Sequence, residues 1–208
     1  MWHTRIDRIY VINLKSRPDR LEQAQRELFK YDIPFEIFTA KKHANGADGL
    51  HYTMKELFTS SQNMDNILVL EDDIEIVSGI NDIMPQALRE LPTNFDLLYL
   101  GANVQAPLIP AGEFLFKCNS LLTTHAVLYS SKARTLLLND MVTCGIKQIK
   151  AWREPIDQLY QRVLQVHNNC YITNPMIVMQ RSGFSDILNM DTHYSELLME
   201  NFKKYSNG

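Results

Sequence analysis

The chain has 208 residues, 45% of them hydrophobic and 22% charged, with a formal net charge of −3. This length suits one well-buried domain, and the near-neutral balance excludes a whole-surface basic field, which argues against nucleic acid as the main partner. No run approaches the roughly 18 apolar residues that span a bilayer, and the start lacks the charged-then-apolar pattern of a leader.

Three cysteines, Cys118, Cys144 and Cys170, are odd in number and widely spaced. They suggest neither a zinc site nor a disulfide framework, and read as buried thiols in a reducing compartment. A cytoplasmic protein is the expectation.

In chain order, Ile9 to Leu14 reads as a buried strand. Ser16-Arg-Pro-Asp19 opens a helix, with Ser16 as cap, Pro18 in the first turn and Asp19 at the positive end. Leu21, Ala24, Leu28 and Phe29 form its apolar stripe. A second strand spans Ile33 to Phe38, Lys41 to Gly49 is a polar loop, and His51 to Ser60 is helical. Ile67 to Leu70 is the third strand. Ile80 to Leu91 is a helix that Pro85 is placed to break or restart, and Phe95 to Leu100 is a strand ending at Gly101.

Ala102 to Glu113 carries Pro107, Pro110 and Gly112 and reads as a loop. Strands at Phe114 to Cys118 and Ala126 to Tyr129 precede a helix from Ser130 through Leu138. A helix over Pro155 to Val166, short strands near Tyr171 and at Met176 to Gln180, and a closing helix over Asp191 to Lys204 complete the chain. Strands alternating with helices predict one α/β domain over residues 1–208, with a mainly parallel central sheet flanked by helices. Ligands of such sheets bind at the carboxyl ends of the strands.

Asn66 to Ile74, Asn-Ile-Leu-Val-Leu-Glu-Asp-Asp-Ile, is the most informative stretch. A run apolar enough to be buried on both faces ends in Glu71, Asp72 and Asp73. Carboxylates crowded at a strand end repel one another unless a cation or several donors meet them. In an extended chain Glu71 and Asp73 point one way and Asp72 the other. Two oxygen ligands side by side suit a hard cation such as Mn²⁺ or Mg²⁺; the plainer reading is a solvated strand end.

Several segments, in order, resemble family 25 glycosyltransferases, which include lipopolysaccharide and collagen galactosyltransferases. Val11-Ile-Asn-Leu-Lys-Ser-Arg-Pro-Asp-Arg20 is similar to the family's start, and Leu68-Val-Leu-Glu-Asp-Asp-Ile74 to its acidic motif. Leu98-Tyr-Leu-Gly101, Thr123-Thr-His-Ala-Val-Leu-Tyr-Ser130, Pro155-Ile-Asp157 and Ser185-Asp-Ile187 resemble later blocks. Two departures stand out. Gly49-Leu-His-Tyr-Thr-Met54 replaces a Gly-Cys-x-x-Ser-His block, where Thr53 can supply the hydroxyl but Met54 cannot supply a histidine. Ser120 to Thr123 lacks the usual glycine.

The resemblance implies a GT-A-like nucleotide-diphosphate-sugar-binding fold and an inverting, metal-dependent transfer of a hexose from a UDP-sugar. It favours galactose, then glucose. The acceptor would be a hydroxyl on a glycan, a hydroxylated protein side chain or a hydroxylated nucleobase, the last disfavoured by the charge. Glu71 and Asp73 are the expected metal ligands, with Asp186, His167 or His193 as a third; only Asp186 lies in a matching motif. Inversion needs a general base, for which Asp157 at a helix start is the first choice and Glu154 the second.

Asn13, Arg17 and Arg20, at the first strand-to-helix junction, are candidates for the donor's phosphates. Asp72, Thr124, His125, Gln180 and Ser185 are candidates for the rest of the nucleotide-sugar. Tyr129, Trp152 and Tyr160 read as core or as cleft walls. Two other classes compete. A nucleotidyltransferase would show a glycine-rich loop after the first strand, which Asn-Leu-Lys-Ser-Arg-Pro lacks. A non-catalytic binding domain would show no metal-dependent turnover of any sugar nucleotide.

Overall fold

The computed structural model describes residues 1–77, 79–147, 154–167, 169–185, 190–192 and 194–206, with backbone alone for 144–147, 184–185 and 190–192. In the first half, strands β1 (Arg8–Asn13), β2 (Glu36–Thr39), β3 (Asn66–Glu71) and β4 (Ile74–Ile76) alternate with helices α1 (Pro18–Lys30), α2 (Gly46–Ser60) and α3 (Ile80–Glu90). The second half is denser in short strands. It holds β5 (Leu97–Tyr99), β6 (Asn103–Val104), β7 (Ile109–Pro110), β8 (Leu115–Cys118), β9 (Leu121–Leu122) and β10 (Ala126–Ser130) before α4 (Ser131–Lys147) and α5 (Ile156–Val163). Strands β11 (Cys170–Thr173), β12 (Val178–Gln180), β13 (Gly183–Ser185) and β14 (Met190–Thr192) and helix α6 (Tyr194–Ser206) follow.

Eight strands form the central sheet in the order β2-β1-β3-β10-β5-β11-β8-β7. The class is α/β, as expected, with a parallel core: β1 lies parallel between β2 and β3, and β11 runs parallel to β5. The sheet as a whole is mixed, because β10 enters antiparallel between β3 and β5, and β8 is antiparallel to β11.

Alternation along the strands divides the core into two layers. Ile67 and Val69 of β3, with Val127 and Tyr129 of β10, pack toward α2, α4, α5 and α6. Leu68 and Leu70, with Ala126 and Leu128, pack toward α1 and α3. Tyr129 and Tyr160 are both buried, their hydroxyls 3.1 Å apart, so both are core residues rather than cleft walls. Trp152 lies outside the described residues.

Local expectations shift in four places. Helix α1 is preceded by Arg17, with no side-chain cap, and Pro18 takes the first turn; Ser16 is not the cap. Helix α2 begins inside the expected loop, because the Asn45 side chain accepts from the amides of Ala47 and Asp48. Helix α3 runs through Pro85 unbroken. The expected loop after Gly101 contains β6 and β7. Gly101 itself is required, since a Cβ there would lie 1.7 Å from the Val178 carbonyl oxygen where β12 crosses the end of β5. Among the described residues no helix is long and apolar enough to cross a membrane.

Candidate active site

The carboxyl ends of β1, β2 and β3 meet at one edge of the sheet, with Asn13 beside Thr39 and Ile12 beside Glu71. A cavity of about 280 Å³ opens there. Glu71, Asp72, Asp73 and Gln180 form one wall, and Lys41, Lys42 and His43, from the loop after β2, form another.

The three acids are held differently. Glu71 accepts from the Thr124 hydroxyl at 2.8 Å. Asp72 accepts from Asn13 Nδ2 at 2.7 Å and pairs with Arg20 at 3.1 Å. Asp73 accepts from Gln180 Nε2 at 3.1 Å and sits 3.4 Å from Arg20. The chain turns at Asp72 and Asp73, so the extended-chain expectation that Asp72 faces away is corrected: all three acids line one cavity.

Asp72 and Asp73 are 8% and 9% exposed, and Asp73 Oδ1 is buried with no hydrogen-bond partner. Burial, then the charge of Asp73, pushes the Glu71 carboxyl up to about 8. Burial and Asp73 likewise raise Asp72. Burial raises Asp73 too, against the Gln180 donor and Arg20. Three acids that resist ionisation beside an orphaned carboxylate oxygen form a hard-oxygen donor set short of positive charge. That set fits a divalent cation of the Mg²⁺ or Mn²⁺ type, which usually takes one or two protein carboxylates and completes its shell with water and phosphate. Among the described residues no group of three His, Cys, Asp or Glu side chains is arranged to hold a metal.

The third-ligand candidates fare differently. Asp186 and His193 lie outside the described residues. His167 is exposed in the turn before β11. The start of β11 pairs with the start of β5, so His167 lies at the opposite edge of the sheet from the acids and cannot join them.

Asp157 begins α5, and its carboxylate accepts from the Thr123 amide at 3.2 Å and from the Gln158 amide at 2.9 Å. Thr123 takes a left-handed φ of 70° and is followed by Thr124, so Asp157 is two residues from the hydroxyl that holds Glu71. Glu154 is instead paired with Arg162 at 2.8 Å, and Arg162 also binds Asp140. Of the two base candidates, only Asp157 adjoins the acid wall.

His125 does not line the sugar pocket. It is fully buried, with Nε2 3.2 Å from the Val178 carbonyl oxygen, and burial lowers its pKa to about 4, so it is a neutral core residue. Arg17 pairs with Asp19 at 3.0 Å, and its charge also reaches Asp73. Ser185 lies on β13, and its side chain is outside the described set.

Several residues escaped the sequence reading. Lys41, Lys42 and His43 supply the basic wall, and the available signal was their position just after the second strand, at the same edge as the acids. Tyr194, the first residue of α6, has its phenol pKa raised by burial and then by the charges of Asp73, Asp157 and Glu71. No local pattern marked it. Thr53 lines the cavity and ties its wall, accepting from the Lys41 amide at 2.8 Å and donating to the Gly49 carbonyl at 2.7 Å. Met54 beside it is core, 2% exposed.

No family model matches the chain, and no curated protein does. Among solved structures it is similar to A197 from STIV, with a TM-score of 0.48 and 13% identity over 89% of this chain and 92% of that one. It is similar to the apo-form glycosyltransferase GlyE in Streptococcus pneumoniae TIGR4, with a TM-score of 0.46 and 12% identity over 79% of this chain and 45% of that one. It is also similar to mannose-1-phosphate geranyltransferase from Thermus thermophilus, with a TM-score of 0.44 and 9% identity over 79% of this chain and 72% of that one. Likeness at this level assigns no activity, and the resemblance to family 25 rests on its motifs alone.

Proposed function

We propose that this protein is a metal-dependent, inverting hexosyltransferase of GT-A-like fold that uses a UDP-sugar, with galactose favoured over glucose. The acceptor is a hydroxyl on a glycan or on a hydroxylated protein side chain. The observation that carries the reading is one cavity lined both by three under-neutralised acids and by Lys41, Lys42 and His43, with Lys41 paired to Glu56 at 2.8 Å. A diphosphate bound with a divalent cation satisfies both walls together, which neither ligand does alone.

In this reading Glu71 and Asp73 hold the cation, which would neutralise charge on the departing diphosphate. Asn13 and Arg20 fix Asp72, and Gln180 fixes Asp73, so the acid wall is set before the donor arrives. Lys42 meets phosphate oxygens from the same cavity, joined by Lys41 once it exchanges its Glu56 partner for phosphate. Asp157, oriented by two amides, takes the proton from the acceptor hydroxyl as the new bond forms.

Thermal unfolding against a panel of sugar nucleotides, with Mn²⁺ and with chelator, tests this. A ligand bound only by the native state adds about 2.7 kcal/mol at a hundredfold excess over its dissociation constant. The expected result is a rise in melting temperature with one UDP-hexose that vanishes in chelator. No rise with any sugar nucleotide overturns the reading.

One observation favours a second reading, a binding domain without turnover. Arg20 already bridges Asp72 and Asp73, and no three-residue metal group exists among the described residues. Stabilisation by a UDP-sugar that chelator leaves unchanged, with no UDP release, would establish it.

A further inference from the structure

A second, open groove of about 560 Å³ lies on the α5 side of the molecule. Its polar lining is dominated by neutral groups: the amides of Gln105, Asn119, Gln158 and Gln161 and the hydroxyl of Ser120. Among the described residues the Asn119 and Gln158 side-chain amides form no hydrogen bond, and both residues are exposed. Gln161 Nε2 is 3.3 Å from Ser120 Oγ, a long contact that leaves its carbonyl oxygen to accept. Of the charged residues of the lining, Arg162 pairs with Glu154 at 2.8 Å and also with Asp140 at 2.8 Å, so its charge is taken up by two carboxylates. Leu122 and the exposed Val166 add an apolar strip.

This chemistry selects its ligand. The Asn119 and Gln158 amides offer donors and an acceptor, while Gln105 and Gln161, whose NH2 groups bond within the protein, offer mainly their oxygens; together they match hydroxyls that both donate and accept. Neutral amides suit an uncharged polyol, whereas a phosphate or an acidic peptide would meet an arginine already engaged by two carboxylates. The apolar strip fits the C–H face of a sugar ring.

The groove also has an address. Gln158 follows Asp157 directly and donates its amide to the Asp157 carboxylate at 2.9 Å. Ser120 and Leu122 lead into Thr123 and Thr124, which touch Asp157 and Glu71. The lining thus adjoins Asp157 on two sides, through Gln158 and through the Leu122–Thr123 step.

We propose that this groove binds a neutral oligosaccharide and presents its terminal hydroxyl to Asp157. Only the presenting role rests on the transferase reading; the binding does not.

Saturation-transfer NMR on the full chain, with lactose, maltose, diacetylchitobiose and a hydroxylysine peptide and with no nucleotide or metal, tests the binding. At least one sugar is expected to show transfer, with affinity falling about tenfold in Gln158→Ala/Gln161→Ala for two lost hydrogen bonds. The ligand-free melting temperature is the folding control. Should the double variant melt early, the exposed Asn119→Ala and Gln158→Ala single variants make the same comparison. Absence of transfer with every sugar, equal affinity in the variants, or transfer only with a hydroxylysine peptide overturns the proposal. Failure of the UDP-sugar reading would show separately, as absent stabilisation by nucleotide.

Discussion

The two ends of β3 bury charge in opposite ways. At its start, Arg134 from α4 is 2% exposed, and its two terminal nitrogens donate to the carbonyls of Tyr129 at 3.0 Å, Asp65 at 3.3 Å, Ser61 at 3.2 Å and Met64. About 17 Å along the strand, at its other end, three acids share one arginine and a few neutral donors. A single buried charge whose terminal nitrogens are all answered, Nε alone lacking a partner, holds the loop before β3 to α4. A buried charge left under-answered is poised for something not part of the chain. Burial alone does not mark a site; the shortage of partners does.

The comparison breaks most visibly at Arg134. Arg134→Met strands the buried carbonyls of Tyr129 and Ser61 and frees those of Asp65 and Met64, and is expected to reduce stability by about 3 kcal/mol, read by denaturant unfolding. Asp73→Asn is expected to do the reverse. It removes a carboxylate whose charged form is disfavoured, so the melting temperature stays within about 3 °C, while metal-dependent UDP-hexose turnover falls about 10²–10³-fold. An unfolded Asp73→Asn, with a parent indifferent to metal, would make the acid end structural as well. Asp157→Asn is expected to lower kcat about a hundredfold while leaving UDP-sugar binding by calorimetry unchanged.

The smallest effect sharpens the contrast through pH. Glu71 ionises near 4.5 when unfolded and near 8 in the fold, so the native state holds the extra proton between these values. Stability from this group is therefore complete below about pH 4.5 and is lost as pH rises toward 8, by at most about 1.4 kcal/mol per unit. In chelator, Glu71→Gln is expected to flatten that decline in melting temperature between pH 5 and 8. An unchanged slope in the variant would show that Glu71 is not the strained group.

The acid end was legible because its signal is local: an apolar run stops and three acids follow within one strand's length. The strand–helix alternation of the first half was legible for the same reason. What the chain does after Leu70 was not. The turn that brings Asp72 round is held where Arg181, just after β12, donates its amide to the Asp73 carbonyl, a contact between residues more than a hundred positions apart. The basic wall was hidden in a polar loop because Asn45 starts a helix there only once α2 can pack Met54, Leu57 and Phe58 on the sheet. His125 sits in a polar-looking Thr-Thr-His, yet the mixed sheet draws it inward behind β12. Asp157 was reachable only through a resemblance, since its link to Thr123 joins distant segments.

The most direct test of the acid end is calorimetric titration of Mn²⁺ into the protein in the presence of UDP, repeated with Asp73→Asn. The account predicts about one Mn²⁺ per chain for the parent, with affinity that rises with pH as Glu71 gives up its proton, and no such binding for the variant. Equal binding in both proteins, or none in either, would contradict the claim that the unanswered charge at the end of β3 is a cation and diphosphate site.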